Sequence, residues 1–396
     1  MMTFKNLVCA GLILVPLLGL GQQRLTELDY LAAVEAQSPA LKASRLTVEQ
    51  SQTRQGTALS LPDAVVNLES PTGEFYATGV YQAFRLPGFY QKQRNLLRSE
   101  TGQTQAQATL SRVDMLVRAR QLFLEAQYYQ SLDSLLAFQD SLYRSISSAA
   151  ERLYQAGQTD ALQSGFAATQ AIEVSVARRA NQALVASSLT RLATLGGLQV
   201  VGLRLPSLFA LSARAASPLP SSESAPVVQV ARQSLEVARR QTELERSRFK
   251  PSFGLGYFNQ GYRETPASLR VRAVVDIPIW TRQYRSAITA SRVGQRIAEQ
   301  NLAAQRQAFR LDSILLTGQR ERLAQSLADY ERILNPRSDE IIRNSTRLKQ
   351  VGQQDVISHL RTVNDAFSIK LRYLDLVRQW REAQISTNAL GGTITP

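Results

Sequence analysis

The sequence contains one ordered set of features twice. In each half a Ser-Pro or Ala-Pro pair is followed by two short alternating segments, a very long helical segment, a glycine and a Leu-Gly-Gly ending. The matched positions, 191, 195 and 195 residues apart, are Pro87 and Pro278, Gly157 and Gly352, and Gly197 and Gly392. An internal duplication that combines strands with very long helices leaves few architectures open. We therefore expect a mainly α chain with a small β part and an internal two-fold repeat.

Residues 1–21 have the pattern of a signal peptide. Lys5 supplies the positive charge, an apolar stretch follows, and Gly19-Leu20-Gly21 is a small-x-small cleavage site. The only cysteine, Cys9, lies in this segment, so the mature chain would have neither a disulfide nor a thiolate metal site. We predict an exported protein.

The chain is basic, with 46 Lys and Arg residues against 32 Asp and Glu residues. A basic balance can indicate binding to nucleic acid or to an anionic membrane. Here the arginines are spread along helical segments, which favours solvated helix faces and ion pairs between helices. We expect no nucleic-acid partner.

Four segments alternate apolar and polar residues with a period of two. Such alternation over about ten residues is the weak signature of a transmembrane β-strand, and a half-buried strand of a soluble sheet gives the same pattern. The side chains expected to face a wet lumen are Glu69, Arg270, Arg272 and Asp276. The predicted strands cover residues of about 61–70, 78–86, 251–260 and 268–278.

Two helical segments are unusually long. The first, from about Tyr90 to Tyr154, contains no proline and would be roughly 95 Å long at 1.5 Å per residue. Its counterpart, from about Arg282 to Leu334, has apolar residues seven apart, which is coiled-coil spacing. Asn335-Pro336 then predicts a break or a kink, because proline removes a donor and restricts the residue before it.

A glycine hairpin follows each long helix. Gly157 and Gly352 fit the left-handed position after a helix, and Asp160 and Asp355 fit the N-cap of a return helix. The resulting division of the chain is a first repeat over 22–197 with its tip at residue 157, a connecting strap over 198–224, a second repeat over 225–392 with its tip at residue 352, and a tail over 393–396.

Four strands in one chain cannot close into a barrel. An open sheet edge in hydrocarbon would leave backbone groups unpaired, so several copies must complete the sheet. Two copies would give eight strands with a filled interior, and three copies would give twelve strands with a lumen. We expect a homotrimer with a twelve-stranded transmembrane barrel, continued by a long coiled-coil α-helical barrel.

The ordered features, present twice over residues 24–392, resemble the TolC-like family of outer membrane efflux proteins. The segment from Tyr330-Glu331-Arg332-Ile333-Leu334-Asn335-Pro336 through Gly352 is most similar to the metal- and drug-efflux branch that works with resistance-nodulation-division pumps. The resemblance implies a trimeric exit duct without catalysis, placed in outer membrane lipid of a Gram-negative-type cell with its helical barrel in the periplasm. It also implies docking of a periplasmic adaptor protein, and through it an inner-membrane pump, at hairpin tips formed by Gly157, Asp160, Gly352 and Asp355.

The candidate periplasmic aperture consists of Gln163, Ser358 and Arg361. Some members of the family close this end with acidic rings, but Ser358-His359-Leu360-Arg361 contains no carboxylate. Any constriction here would be neutral or basic. Either Arg361 narrows the tip and disfavours cations, or it is a solvated charge on the outer face.

Residues that carry catalysis are missing from the sequence. It has no Gly-rich phosphate loop, no Gly-x-Ser-x-Gly turn and no His-Glu-x-x-His helix. The single histidine, His359, is expected on a polar helix face and cannot form a metal cluster within one chain. We predict no enzyme, no metal and no cofactor. The leading hypothesis is a passive exit duct of a tripartite efflux system; the alternatives are the exit duct of a type I protein secretion system and a periplasmic coiled-coil scaffold without a pore.

Overall fold

A computed structural model of the chain describes residues 25–70, 77–199, 204–210, 221–259, 270–350 and 354–393. The predicted signal peptide, Gly352 and the turns inside each strand pair lie outside the described residues. The helices are α1 (Glu27–Gln37), α2 (Pro39–Arg54), α3 (Pro87–Gln155), α4 (Ala161–Gly196), α5 (Pro226–Arg248), α6 (Thr281–Asp329), α7 (Asn335–Gln350) and α8 (Val356–Gly391). The strands are β1 (Val65–Glu69), β2 (Ala77–Arg85), β3 (Ser252–Asn259) and β4 (Val271–Asp276).

The long helices have the predicted extent to within a few residues. Helix α3 has 69 residues, which at 1.5 Å each is about 100 Å. Pro87 stands at its start, where a missing N–H leaves no bond unmade. The return helices α4 and α8 have 36 residues each. Their C-terminal caps, Gly197 and Gly392, have φ of 62° and 66°, the left-handed conformation that only glycine adopts without strain.

The predicted break at Asn335-Pro336 takes the form of a π-turn. Residues Tyr330–Leu334 form one π-helical turn between α6 and α7, and the N–H of Asn335 bonds to the carbonyl of Tyr330. The ring of Pro336 clashes with the carbonyl four residues earlier, so the hydrogen-bond ladder widens by one residue instead of ending. The helix therefore continues through the proline.

The segment between α2 and β1 is irregular. Helix α2 ends at Arg54 and is followed by a 3₁₀ turn over Gln55–Leu59. Strand β1 begins at Val65, not Leu61, because Pro62 in between has no N–H for a ladder bond. The carbonyl of Pro62 instead accepts from the side chain of Gln82.

The core follows the long helices as a series of separate apolar clusters. Near the hairpins α3, α4, α7 and α8 pack around the fully buried Phe367. In the middle, α1 and the end of α4 pack on α3 around Tyr30 and Phe123, whose rings stack at 5.8 Å. A further cluster joins α8 to α6 through Trp380 and Leu327. This arrangement fixes the helices side by side and places both hairpins at one end.

The four strands form a single antiparallel sheet in the order β1-β2-β3-β4. Successive strands run in opposite directions, so the start of β1, the end of β2, the start of β3 and the end of β4 lie at one end of the sheet. All four connections to α2, α3, α5 and α6 leave from that end. The sheet therefore stands at the end of the long helices that is opposite the hairpins.

Candidate functional site

The first hairpin is closed by the two residues that the sequence indicates. Gly157 has φ of 68°, and Oδ1 of Asp160 accepts from the N–H of Gln163 at 2.8 Å as the N-cap of α4. A second bond crosses the hairpin, from the hydroxyl of Ser164 to Glu151 at 2.7 Å. The apolar side chain of Leu162 at this tip is exposed. The tip thus has a rigid backbone and an apolar outer side chain.

The second hairpin repeats the N-cap. Oδ1 of Asp355 accepts from the N–H of Ser358 at 2.9 Å, at the start of α8. Hydrogen bonds from the hydroxyl and the N–H of Ser358 lower the pKa of Asp355, which keeps the cap charged. The turn glycine of this hairpin, Gly352, lies outside the described residues.

His359 is not on a polar helix face, and this expectation from the sequence was wrong. The side chain is 1% exposed and lies between α7 and α8, with Nδ1 at 2.7 Å from the hydroxyl of Ser345. That hydroxyl also bonds to the side chain of Gln354 at 2.9 Å, and Gln354 in turn bonds to Thr362. Burial, and then the charge of Lys349, lower the pKa of His359, so the imidazole is neutral at physiological pH. His359 is a structural residue of the second hairpin.

The candidate aperture residues have different surroundings. Ser358 and Arg361 are exposed, on the first two turns of α8, and Arg361 has no ion pair within the described residues. Gln163 is half-buried and its side-chain amide reaches Asp160 at 3.4 Å. Arg361 is thus free to point at a neighbouring copy or at solvent.

The two faces of the sheet differ as the alternation predicts. The ladder register puts Arg272 and Asp276 on one face, opposite Gly256 and Ser252 of β3. The other face is apolar and exposed, with Val66 at 74%. Its exposed members, all on this face by register, are Val66, Leu68, Val80, Leu255, Tyr257, Val271 and Val275.

The predicted polar residues of the sheet are partly engaged with neighbours. Arg272 lies over the ring of Phe258 at 5.3 Å, and Asp276 accepts from the hydroxyl of Ser252 at 3.2 Å. Arg270 donates to Asn259. The backbone of Glu69 pairs with Ala77, but its side chain lies outside the described residues.

Aromatic rings cover glycines on the same polar face. The ring of Tyr81 lies directly over Gly254, and the ring of Phe258 lies over Gly79, where an added Cβ would approach it to 2.7 Å. Each glycine therefore makes room for a ring from the neighbouring strand. The glycines at alternate positions of β3, Gly254 and Gly256, could have predicted this packing from the sequence.

The sheet is open at both sides. Within the part of the chain that the structure describes, β1 and β4 each pair with a single neighbour. Among the described residues, no helix combines the length and the apolar character needed to cross a bilayer. In the same ranges, no three His, Cys, Asp or Glu side chains come together as a metal site would require.

The fold matches solved structures of outer membrane proteins. CusC, which forms a transmembrane channel, superposes with a TM-score of 0.75 at 15% identity over 91% of both chains. The outer membrane protein VceC of Vibrio cholerae gives 0.74 at 14% identity, over 91% of this chain and 95% of that one. The outer membrane channel CmeC of Campylobacter jejuni gives 0.76 at 12% identity, over 92% and 86%.

At these identities the similarity establishes the fold. No family model and no curated protein matches the sequence. The solved proteins with this fold are channels rather than enzymes.

Proposed function

We propose that this chain, which has the fold of outer membrane channels, is one of three copies that form an outer-membrane exit duct. The sheets of three copies join edge to edge into a twelve-stranded barrel, and the helices continue it as a tube through the periplasm. Solutes pass through without chemistry, driven by an inner-membrane pump that a periplasmic adaptor connects to the duct. A resistance-nodulation-division pump is the partner that the sequence resemblance favours.

The observation that carries this proposal is the open-edged sheet with one exposed apolar face. An isolated soluble chain would expose both an apolar sheet face and two unpaired edges. Both features strongly promote aggregation. In a membrane the apolar face contacts lipid, and the edges of neighbouring copies satisfy each other. The polar face, with Arg272 and Asp276, then lines a wet lumen.

The hairpins support the other half of the proposal. Both lie at the end of the molecule farthest from the sheet, where an adaptor would meet the tube. Gly157, Asp160 and Asp355 set the shape of the described parts of these tips, Gly352 is proposed as the turn glycine of the second, and Leu162 offers an exposed apolar contact. Gln163, Ser358 and Arg361 lie close behind the tips and are proposed to line the aperture.

Two adjacent valines of β4 provide the test. Val275 is on the apolar face and Val274 is on the opposite face, beside Gly254. Arg on the lipid side of a barrel costs about 2–4 kcal/mol at mid-membrane. We expect Val275→Arg to abolish recovery in the outer-membrane fraction and conductance in planar bilayers, and Val274→Arg to retain insertion with altered ion selectivity.

Equal behaviour of the two valine variants would contradict the membrane placement. A wild-type product recovered as a soluble periplasmic protein would favour the scaffold. Isolation of the native complex would distinguish an efflux pump from a type I secretion partner, since the co-purified inner-membrane component differs.

A further inference from the structure

The four junctions between helices and strands each place exposed apolar side chains next to positive charge, and three of them add an aromatic ring. At the end of β4, exposed Ile277, Ile279 and Trp280 follow the last ladder residue, and Arg282 and Arg285 come next on α6. Trp280 is 84% exposed, the largest value among the exposed large apolar side chains of the described residues. Along the chain, an apolar strand face is followed by an aromatic ring and then by positive charge.

The other junctions combine similar residue types. After β2, the partly exposed Leu86 and Phe89 precede Arg94 and Arg98 of α3. Before β3, Arg246 and Lys250 flank the exposed Phe249. At the fourth junction Arg54 ends α2, and exposed Leu59 and Leu61 lie between it and β1.

Six cations near these junctions have no partner among the described residues. Arg94, Arg98, Arg246, Lys250, Arg282 and Arg285 are all exposed, and none has an ion pair or a side-chain hydrogen bond within the described residues. Arginines in the middle of the molecule are different, since Arg112 pairs with Glu35 at 2.7 Å and Arg178 with Asp140 at 3.3 Å. Near the sheet, Arg248 pairs with Glu245 and Lys92 donates to the carbonyl of Glu243, but the six cations named above are left for something outside the chain.

We propose that these six residues form a headgroup collar that binds anionic phospholipid at the periplasmic surface of the membrane, with Trp280 inserted at the boundary between acyl chains and headgroups. The inference rests on the proposed membrane placement of the sheet. After β2 and β4, the order apolar, aromatic, basic matches the order hydrocarbon, interface, phosphate across one leaflet. A basic side chain near an anionic surface contributes on the order of 1 kcal/mol, or about fivefold in affinity. The collar thus fixes how deep the barrel sits and enriches anionic lipid around it.

The two tryptophans of the chain allow a direct measurement of depth. Trp380 is 3% exposed, inside the helical core, whereas Trp280 is exposed beside the sheet. The full chain is reconstituted in phosphatidylcholine vesicles that contain lipids brominated close to the headgroup or at mid-chain. We expect fluorescence of the Trp380→Phe variant to be quenched more by the shallow bromines. The difference between wild type and Trp280→Phe gives the same quantity if Trp380→Phe folds poorly.

Lipid preference is measured by energy transfer from Trp280 to dansyl-labelled phosphatidylglycerol or dansyl-labelled phosphatidylcholine. We expect Arg94→Gln/Arg98→Gln to reduce the preference for phosphatidylglycerol by at least about threefold, and high salt to reduce it in the wild type. The matched control is Arg343→Gln/Arg347→Gln, two exposed arginines with the same four-residue spacing on α7 near the hairpin tip. That control is expected to keep the wild-type preference.

Failure of this inference can be told apart from failure of the proposed function. If the protein conducts ions but the fluorescence of Trp280 is not quenched, or if energy transfer from Trp280 to the two dansyl lipids is equal, the headgroup collar is overturned and the proposed duct is unaffected. A selectivity change in Arg94→Gln/Arg98→Gln without a change in lipid preference would place these arginines in the lumen and also overturns it. Absence of membrane insertion altogether refutes both.

Discussion

The buried pair of Ser345 and His359 makes the second hairpin sensitive to pH. The serine hydroxyl has one hydrogen, so when it donates to Gln354 it must accept from Nδ1–H of His359. Ser345→Ala would leave the buried ring N–H of His359 and the half-buried amide oxygen of Gln354 without their partner. Leaving a buried polar group unpaired costs about 1–3 kcal/mol. We expect local opening of the α7–α8 hairpin to become easier by about this amount.

The pH effect has a definite sign. Burial lowers the pKa of His359 in the folded hairpin below the value of about 6.5 that it has when exposed. The opened hairpin therefore binds a proton that the closed hairpin does not, between those two pKa values. Stability is complete above about pH 6.5 and falls as the pH falls, by at most about 1.4 kcal/mol per unit for one proton. Lys349 acts in the same direction, because its charge disfavours imidazolium.

Amide hydrogen exchange, followed by mass spectrometry between about pH 5 and 7.5 and corrected for chemical exchange, measures this opening. The first hairpin is an internal control, because His359 is the only histidine in the chain. We expect the corrected exchange rate to depend on pH only in peptides of the second hairpin, and this dependence to be lost in His359→Gln. An identical slope in His359→Gln, or in the first hairpin, would refute the reasoning.

Three further perturbations test the helical part by thermal unfolding. Gly392→Ala, at φ of 66°, should lower the free energy of unfolding by about 1–2 kcal/mol. Gly318→Ala, in open space within α6, should raise it by about 0.5–1 kcal/mol. A Gly392→Ala variant more stable than Gly318→Ala would contradict the role of Gly392 as a cap. Phe367→Ala, in the fully buried centre of the hairpin cluster, should cost about 3–5 kcal/mol, and a loss below about 1 kcal/mol would mean the cluster does not hold the bundle. The hydrogen bond from Arg112 lowers the pKa of Glu35, so this half-exposed pair contributes up to about 1 kcal/mol at neutral pH, which is lost as the pH falls through the folded pKa. We expect Glu35→Gln to reduce the fall of the thermal midpoint at acid pH. The same fall in the variant and the wild type would contradict this.

Local chemistry made much of the fold predictable from the sequence. The N-caps at Asp160 and Asp355 and the left-handed turn at Gly157 depend on residues within four positions, and the structure has each of them as predicted. The alternation in β4 likewise predicted which residues share a face. These features depend only on neighbouring residues in the sequence.

Predictions failed where a distant element decides the outcome. His359 stands in a polar sequence, and its burial depends on Ser345, which α7 brings from fourteen residues away. At Pro336 the expected break or kink takes the form of a π-turn, and the helix continues where α7 packs on α8, which the local sequence does not specify. The role of Arg361 at an aperture stays a prediction, since its surroundings depend on what packs next to α8.

Two exposed surfaces of the chain would be covered by the same neighbouring copy in the proposed trimer. The edges of β1 and β4 need a strand each, and α6 exposes an apolar stripe that includes Ile314, 73% exposed. In the proposed trimer, the rotation that repeats the chain around an axis must satisfy both, so damage to the helical stripe should also prevent closure of the distant sheet. We expect Ile314→Asp to lower the trimer fraction in native mass spectrometry and to abolish conductance, because each copy loses about 1.5–3 kcal/mol of apolar burial and gains a buried charge. Leu162→Asp, an equally exposed apolar residue at the first hairpin tip, should leave assembly unchanged. Normal conductance in Ile314→Asp would mean that strand pairing alone holds the ring together.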